Sequence, residues 1–523
     1  MRTLSLVLLL LPFTLSAQEE FPKVWEAKFS VDAGYKGCSD DLAFVLGGDL
    51  TGLEMLDGAT GKSLWTYNFK EKHGVKKCER WKMLDETSTV EVVVDKGKDA
   101  GEEILYLDYR TGAVVASTQL GARIKTKQPV KRKRLRNARI GQSSVYDATS
   151  NITIDLDYDA KRIMGVKKGT DLLLTVEASG AKAWKTSFTG RVISRLTKQY
   201  LSSDAGDVIL DVTVGEGKVF VIYEGITCLD LNTGAILWNT TFDNVEVSTG
   251  LKIKQEIGRS AMPLIAADGV YICDFTKGER TIKKLDLATG TLLWQADKLK
   301  KDDIVSELVL DAGNLIARFG GVIRVEQYIP GMDGNPDVYK VENVFEGSTS
   351  LRAYNAKTGV AVWHTEDMDL SDNFKKAECN ILSGDGKVYA CGEKNMYIFD
   401  AASGNLVQQG DYNAKAIGKA RRLYALEGSY LIEGEKGIAR MGADLKPIYA
   451  TNTGKCLDID MHGDACIVWT GKELDDRKEF IRFDLATGAI MGTLKDCYRP
   501  HFDQTGDRFV RFDGQKAIQY RTN

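Results

Sequence analysis

A ten-residue pattern that returns along nearly the whole chain limits what it can fold into. "LDLATGTLLW" fills residues 285–294 and "LDLNTGAILW" fills 229–238. Further copies are "LDGATGKSLW" (56–65), "LDYRTGAVVA" (107–116), "TVEASGAKAW" (175–184), "YNAKTGVAVW" (354–363), "FDAASGNLVQ" (399–408) and "FDLATGAIMG" (483–492). The interval between turn glycines runs from 45 residues (Gly359 to Gly404) to 84 (Gly404 to Gly488). Midway through the longest interval lies a worn copy, "MGADLKPIY" (441–449), so nine units are visible.

Each copy has the chemistry of a hairpin. The Asp can hold backbone N–H groups a few residues on and so nucleate a turn. The Gly supplies the positive φ that short hairpin loops require. The residues after Gly are apolar at successive positions, as in "TLLW". By strict alternation Leu292 and Trp294 share one face and Leu293 takes the other, which reads as a strand buried on both sides. An earlier hairpin precedes each turn, for example "GKVFVIYEGITCLD" (217–230). A unit is therefore four short strands over roughly 40–55 residues, the period of a propeller blade.

The expected fold is all-β: a β-propeller of four-stranded antiparallel blades, eight in number within a range of seven to ten. "VWEAKF" (24–29) has the pattern of a last strand with none before it, and residues 507–522 have that of earlier strands with none after. These are expected to pair and close the ring. Residues 18–523 form one domain in this reading, with inserts near 123–165 and 328–348.

Residues 1–17 combine Arg2, a short apolar run and "LSA" before Gln18, the layout of a signal peptide cut near Ala17–Gln18. The run is too short for a membrane span. The mature chain is expected to be periplasmic or secreted, and soluble. Lys and Arg total 70 against 73 Asp and Glu, a near-neutral balance that argues against wholesale nucleic-acid binding. The four His residues stand in no hydrolase or zinc spacing, and neither a nucleophile elbow nor a phosphate loop occurs.

Nine cysteines in an exported chain leave at least one unpaired. Cys38, Cys78, Cys379, Cys456 and Cys497 each open a unit. Two readings stand: small apolar fillers of a crowded inner strand, or a metal or redox ring with His462 and His501. Cys379 and Cys391 flank "SGDG" almost symmetrically and are the candidate disulfide. Asp155, Asp157 and Asp159 would share one strand face but lack the Gly and Glu of a calcium loop, so they read as a solvated face. "DGNPD" (333–337) reads as a turn.

The Asp-x-x-Thr-Gly-x-x-x-Trp repeat resembles that of the quinoprotein-type, or PQQ-like, β-propellers, over nearly the whole mature chain. That family contains dehydrogenases holding pyrroloquinoline quinone and Ca²⁺, and scaffolds without catalysis such as the outer-membrane assembly factor BamB. Many of the dehydrogenases carry two adjacent cysteines, and no Cys-Cys pair occurs here. Nor does this chain have the lipid-bearing cysteine of BamB. The resemblance implies a non-catalytic interaction scaffold of the bacterial cell envelope with no cofactor and no metal. The alternative it implies is a dehydrogenase dependent on quinone and calcium, or a ligand-binding propeller using its central channel. No catalytic residue is assigned, and the sequence does not fix the oligomeric state.

Residues 125–139, "KTKQPVKRKRLRNAR", hold eight basic side chains in fifteen. Lys131, Arg132, Lys133, Arg134 and Arg136 are the candidate interaction patch. Such a cluster suits lipid phosphates or an acidic protein. The expected partners are an envelope protein and an anionic membrane surface. A solvated insert whose charges deter strand pairing is the plain alternative.

Overall fold

The computed structural model describes residues 21–96, 102–119, 144–147, 152–159, 171–178, 181–189, 211–223, 225–243, 245–251, 254–276, 278–301, 303–329, 338–370, 373–470, 479–495, 497 and 500–522. Within them are ten antiparallel sheets, nine of four strands and one of six. The chain forms two compact units. One comprises Met1–Lys125, Glu435–Ala439 and Ile448–Asn523; the other comprises Thr126–Gly434 and Arg440–Pro447.

In the first unit the 35–68 sheet shows the general plan. Its strands Tyr35–Cys38, Phe44–Gly48, Gly52–Asp57 and Ser63–Asn68 lie side by side in chain order. The 80–119 and 458–494 sheets repeat it. A further sheet joins the two ends of the chain: Lys23–Lys28 pairs with Lys516–Arg521, with Ala27 opposite Ala517 and Lys28 opposite Lys516. Trp25, Phe29 and Val510 of this sheet pack against Val45 and Leu56 of the 35–68 sheet.

In the second unit the 144–189, 211–240, 264–295 and 382–411 sheets follow the same plan. The stretch 123–165 supplies two regular strands, Ser144–Asp147 and Ile152–Asp159, to the first of these. The second and third strands of a sheet are buried on both faces, as in Lys218–Tyr223 and Gly225–Asp230. Their continuous apolar runs follow from sheets stacked face to face. Phe220, Ile222 and Trp238 of the 211–240 sheet interdigitate with Val270, Ile272 and Leu285 of the 264–295 sheet.

The six-stranded sheet departs from the plan. Its strands Asn314–Ile329 and Val338–Asn355 are 16 and 18 residues long. Near the start of the first and the end of the second they pair with Val305–Asp311 and Ala361–His364 as an ordinary four-stranded set. Beyond Gly321 they continue as a hairpin, to which Lys254–Arg259 and Val245–Leu251 add in turn. The expected insert near 328–348 is thus in part an extension of two regular strands.

One irregularity recurs and corrects the sequence reading. Where the third strand meets the fourth, the register slips by a residue. Leu285 faces Leu292 but Lys284 faces Trp294, leaving Leu293 as the extra residue of a β-bulge. The same slip falls between Met55 and Leu56, Cys228 and Leu229, Ala353 and Tyr354, Ile398 and Phe399, and Arg482 and Phe483. A bulge breaks the period of two. Leu292 and Leu293 consequently both stay exposed, at 53% and 51%, while Trp294 is 8% exposed. The fourth strand is not buried on both faces.

Candidate functional site

The repeated turn builds the candidate surface. Asp286 accepts hydrogen bonds from the Thr289 N–H and hydroxyl, both 2.8 Å, and from the Ala288 N–H. Asp57, Asp108, Asp230, Asp400 and Asp484 do the same with the Thr or Ser three residues on. At the 355–359 turn Asn355 stands in, with longer bonds of 3.1 and 3.3 Å. The hydroxyl bond is the main reason that the Asp108, Asp230, Asp286, Asp400 and Asp484 carboxyls titrate below the ordinary aspartate value. Each turn then closes through the Gly N–H to the Asp carbonyl, 2.8 Å for Gly290 and Asp286.

The Trp of one sheet reads the turn of the next. Trp238 donates its indole N–H to the Leu287 carbonyl at 3.1 Å, Trp294 to Ala356 at 2.9 Å and Trp363 to Ala401 at 3.1 Å. In the first unit Trp25 reaches Gly58 and Trp65 reaches Tyr109. Tyr449 takes the same role, its hydroxyl donating to Leu485. The turn Gly is obligatory on two counts. Gly290 and Gly359 have φ of +68° and +73°, and an added Cβ would stand 2.5 Å from the Trp ring. Ala116, Gln408 and Gly492 occupy the Trp position in three copies; against Gly492 packs the ring of Phe21.

The bulge turns the two residues before each Trp outward. Ile236 and Leu237 before Trp238 and Leu292 and Leu293 before Trp294 form such pairs, and Leu406 and Val407 form one before Gln408, all more than 40% exposed. The strands Ser63–Asn68, Ile236–Thr240, Leu292–Gln295 and Ala361–His364 end their sheets and contain no Asp, Glu, Lys or Arg. Proteins commonly blunt such edges with charge or Pro. Here uncharged edges carry repeated apolar doublets, the composition of a contact surface.

The residues singled out in the sequence are distributed otherwise. Lys131, Arg132, Lys133, Arg134 and Arg136 lie outside the described residues, as does 333–337. Asp155, Asp157 and Asp159 lie in the strand Ile152–Asp159, in register with Thr175, Leu173 and Asp171. Cys379 and Cys391 are free and 1% exposed. Cys78 and Cys497 are buried, and burial pushes their thiols up to about 12. The His462 ring packs against Phe502 and the His501 ring against Phe512. Among the described residues no group of three or more His, Cys, Asp or Glu is placed to hold a metal ion.

Sequence reasoning missed the buried and half-buried charges of the second unit. Arg352 bonds both oxygens of Asp303, at 2.8 and 2.9 Å, contacts Glu366, and lies 4.0 Å over the Phe319 ring. Lys284, 4% exposed, reaches Asp268 at 2.7 Å and the Ala356 carbonyl at 3.0 Å. These pairs are spent inside the fold. In the first unit, Asp503, Thr505, Asp507, Arg508 and Arg521 line a polar recess of about 430 Å³, within which Arg508 is bonded to Asp503.

The sequence profile of the family described as outer membrane protein assembly factor BamB matches residues 168–491, more than half of the chain. The chain belongs to this BamB-type, PQQ-like family. Its fold is accordingly an all-β propeller fold. No curated protein matches the sequence as a relative. Solved structures similar to the chain include BamB from Moraxella catarrhalis, with 14% identity and a TM-score of 0.39 over 73% of this chain and 98% of that one. A quinohemoprotein alcohol dehydrogenase from Pseudomonas putida HK5 has 12% identity and a TM-score of 0.32, over 80% of this chain and 71% of that one. The Dos1 propeller has 11% identity and a TM-score of 0.39, over 73% and 93%. Among the described residues no helix is long and apolar enough to cross a membrane.

Proposed function

We propose that this BamB-type chain is an exported, non-catalytic scaffold of the bacterial cell envelope that holds a partner protein on the outer edges of its sheets. The observation that carries the reading is the bulge-exposed apolar doublet, repeated on edge strands that lack charge. A strand edge offers backbone N–H and C=O groups, and an adjacent apolar pair adds burial that a partner can share. The apparent signal peptide at residues 1–17 supports export. The basic segment at 125–139 would add attraction to an anionic membrane beside the partner.

The test is affinity capture of the tagged mature protein from cross-linked envelopes, with partners identified by mass spectrometry. A stoichiometric partner that is lost when outer-strand doublets are made polar supports the reading. An empty capture, together with saturable binding of pyrroloquinoline quinone and Ca²⁺, would replace it with the dehydrogenase.

A further inference from the structure

We propose that Cys379 and Cys391 are joined by a disulfide in the mature protein, formed while the chain folds and sealed afterwards by burial. The inference rests on the exported location, because disulfides persist in oxidising compartments.

The geometry begins with one strand pair. Leu382–Gly384 pairs with Lys387–Cys391, with Leu382 opposite Tyr389. Cys391 ends the second strand and Cys379 lies three residues before the first, so the register brings both to the same end of the pair. Both are 1% exposed; the Cys379 thiol donates to the Asn380 side-chain oxygen at 3.7 Å, and the neighbouring Cys391 thiol helps to raise its pKa.

The backbone on either side of each cysteine is fixed. Before Cys379, the Ala377 carbonyl accepts bonds from Arg318 Nη2 at 2.6 Å and the Thr349 hydroxyl at 3.0 Å. After it, the Ile381 N–H donates to Glu307 at 2.9 Å. Beyond Cys391, the Gly392 carbonyl accepts the Tyr412 hydroxyl at 3.0 Å, and the Gly392 N–H donates to Asn395 at 2.8 Å. Two buried, neighbouring thiols are thus held in place by anchors that do not depend on a bond between them.

Burial also dictates when the bond forms. Exchange requires a thiolate with access to an external disulfide. In the folded chain, burial and then the Cys391 contact hold the Cys379 thiol well above the ordinary cysteine value, which leaves negligible thiolate. Oxidation must therefore precede packing of the 373–382 segment. The oxidant is a disulfide: glutathione disulfide in the test tube, a thiol–disulfide oxidoreductase in the cell. One cysteine thiolate attacks it, forming a mixed disulfide and releasing one thiolate. The second cysteine displaces the other half. Two protons leave the protein, and the oxidant takes up two electrons as two thiols.

The experiment refolds the reduced, denatured mature chain with glutathione and glutathione disulfide, alkylates it under denaturing conditions, and maps the digest by mass spectrometry. The expected product is a Cys379–Cys391 cross-linked peptide in most of the folded protein, with the other cysteines alkylated. Chain refolded under reductant and then exposed natively to glutathione disulfide should cross-link about tenfold more slowly or worse. The double variant Cys379→Ser, Cys391→Ser should refold with an unchanged circular dichroism spectrum and lose the cross-link. Alkylation of both Cys379 and Cys391 after oxidative refolding, or linkage of either to a different cysteine, would overturn the proposal. Export plays no part in this refolding experiment, so its outcome is independent of the scaffold reading.

Discussion

Trp294 donates its indole N–H to the carbonyl of Ala356, 2.9 Å away in the next sheet. The same ring covers Gly359, and Lys284 shares the Ala356 carbonyl at 3.0 Å. One turn of backbone thus fixes the Trp of its neighbour, and the neighbour in turn dictates the Gly. Because the arrangement repeats along the chain, it is the joint on which stability depends most directly.

Gly359→Ala should destabilise the protein by about 2 kcal/mol or more, since it combines a strained positive φ with a Cβ inside the Trp294 ring contact. Trp294→Ala should cost about 3–5 kcal/mol through the cavity it leaves. Urea unfolding of both variants checks this; a Gly359→Ala protein as stable as the parent would show that the ring contact is slack.

The turn carboxylates predict a fall in stability on acidification. Their folded values are depressed, first by the Thr or Ser hydroxyl. A depressed folded value means that the stability is fully present above the unfolded aspartate value of about 3.9 and is lost as the pH falls through the folded value. The thermal midpoint should therefore hold steady from about pH 7 to 5 and drop below about pH 4. Asp286→Ala should lower the midpoint at neutral pH and flatten that drop.

Leu292→Ser with Leu293→Ser should leave the unfolding free energy within about 0.5 kcal/mol of the parent, because both side chains are half exposed. Partner capture should fall nonetheless. If every exposed doublet can be made polar without loss of captured protein, the edges are not the contact surface.

Arg352→Lys should destabilise by about 1–3 kcal/mol despite keeping the charge. Lysine cannot bond both Asp303 oxygens while lying flat on Phe319. Denaturant titration measures the loss, and a variant of parental stability would remove the bidentate pair as the cause.

Replacing Lys131, Arg132, Lys133, Arg134 and Arg136 with Gln should abolish sedimentation with vesicles of anionic lipid at low salt. Unchanged sedimentation would assign those charges to solvation alone.

Much of the fold was legible in the residues. The Asp-x-x-Thr-Gly turn announces itself because its bonds are local: Asp286 needs only Ala288 and Thr289. Central strands such as Lys218–Tyr223 were visible as unbroken apolar runs. The pairing of Lys23–Lys28 with Lys516–Arg521 was visible as two complementary fragments. The exposed surface was misread, because strict alternation was carried through the bulge. A signal was present: an apolar doublet stands before the Trp in "ILW", "LLW" and "AVW". The half-buried Arg352 and the buried Lys284 gave none, since their partners Asp303 and Asp268 are not marked by any repeat.

By itself the sequence determined the turns, the strands between them and the sheet as the repeating unit, because each depends on residues within a few positions of one another. The tertiary structure alone decided which carbonyl receives each Trp and which apolar residues remain in solvent. Both depend on a neighbouring sheet: Ala356 is 62 residues from Trp294. The register slip between Lys284 and Leu285 leaves Leu293 as the extra, exposed residue beside the Trp294 that crosses to the next sheet.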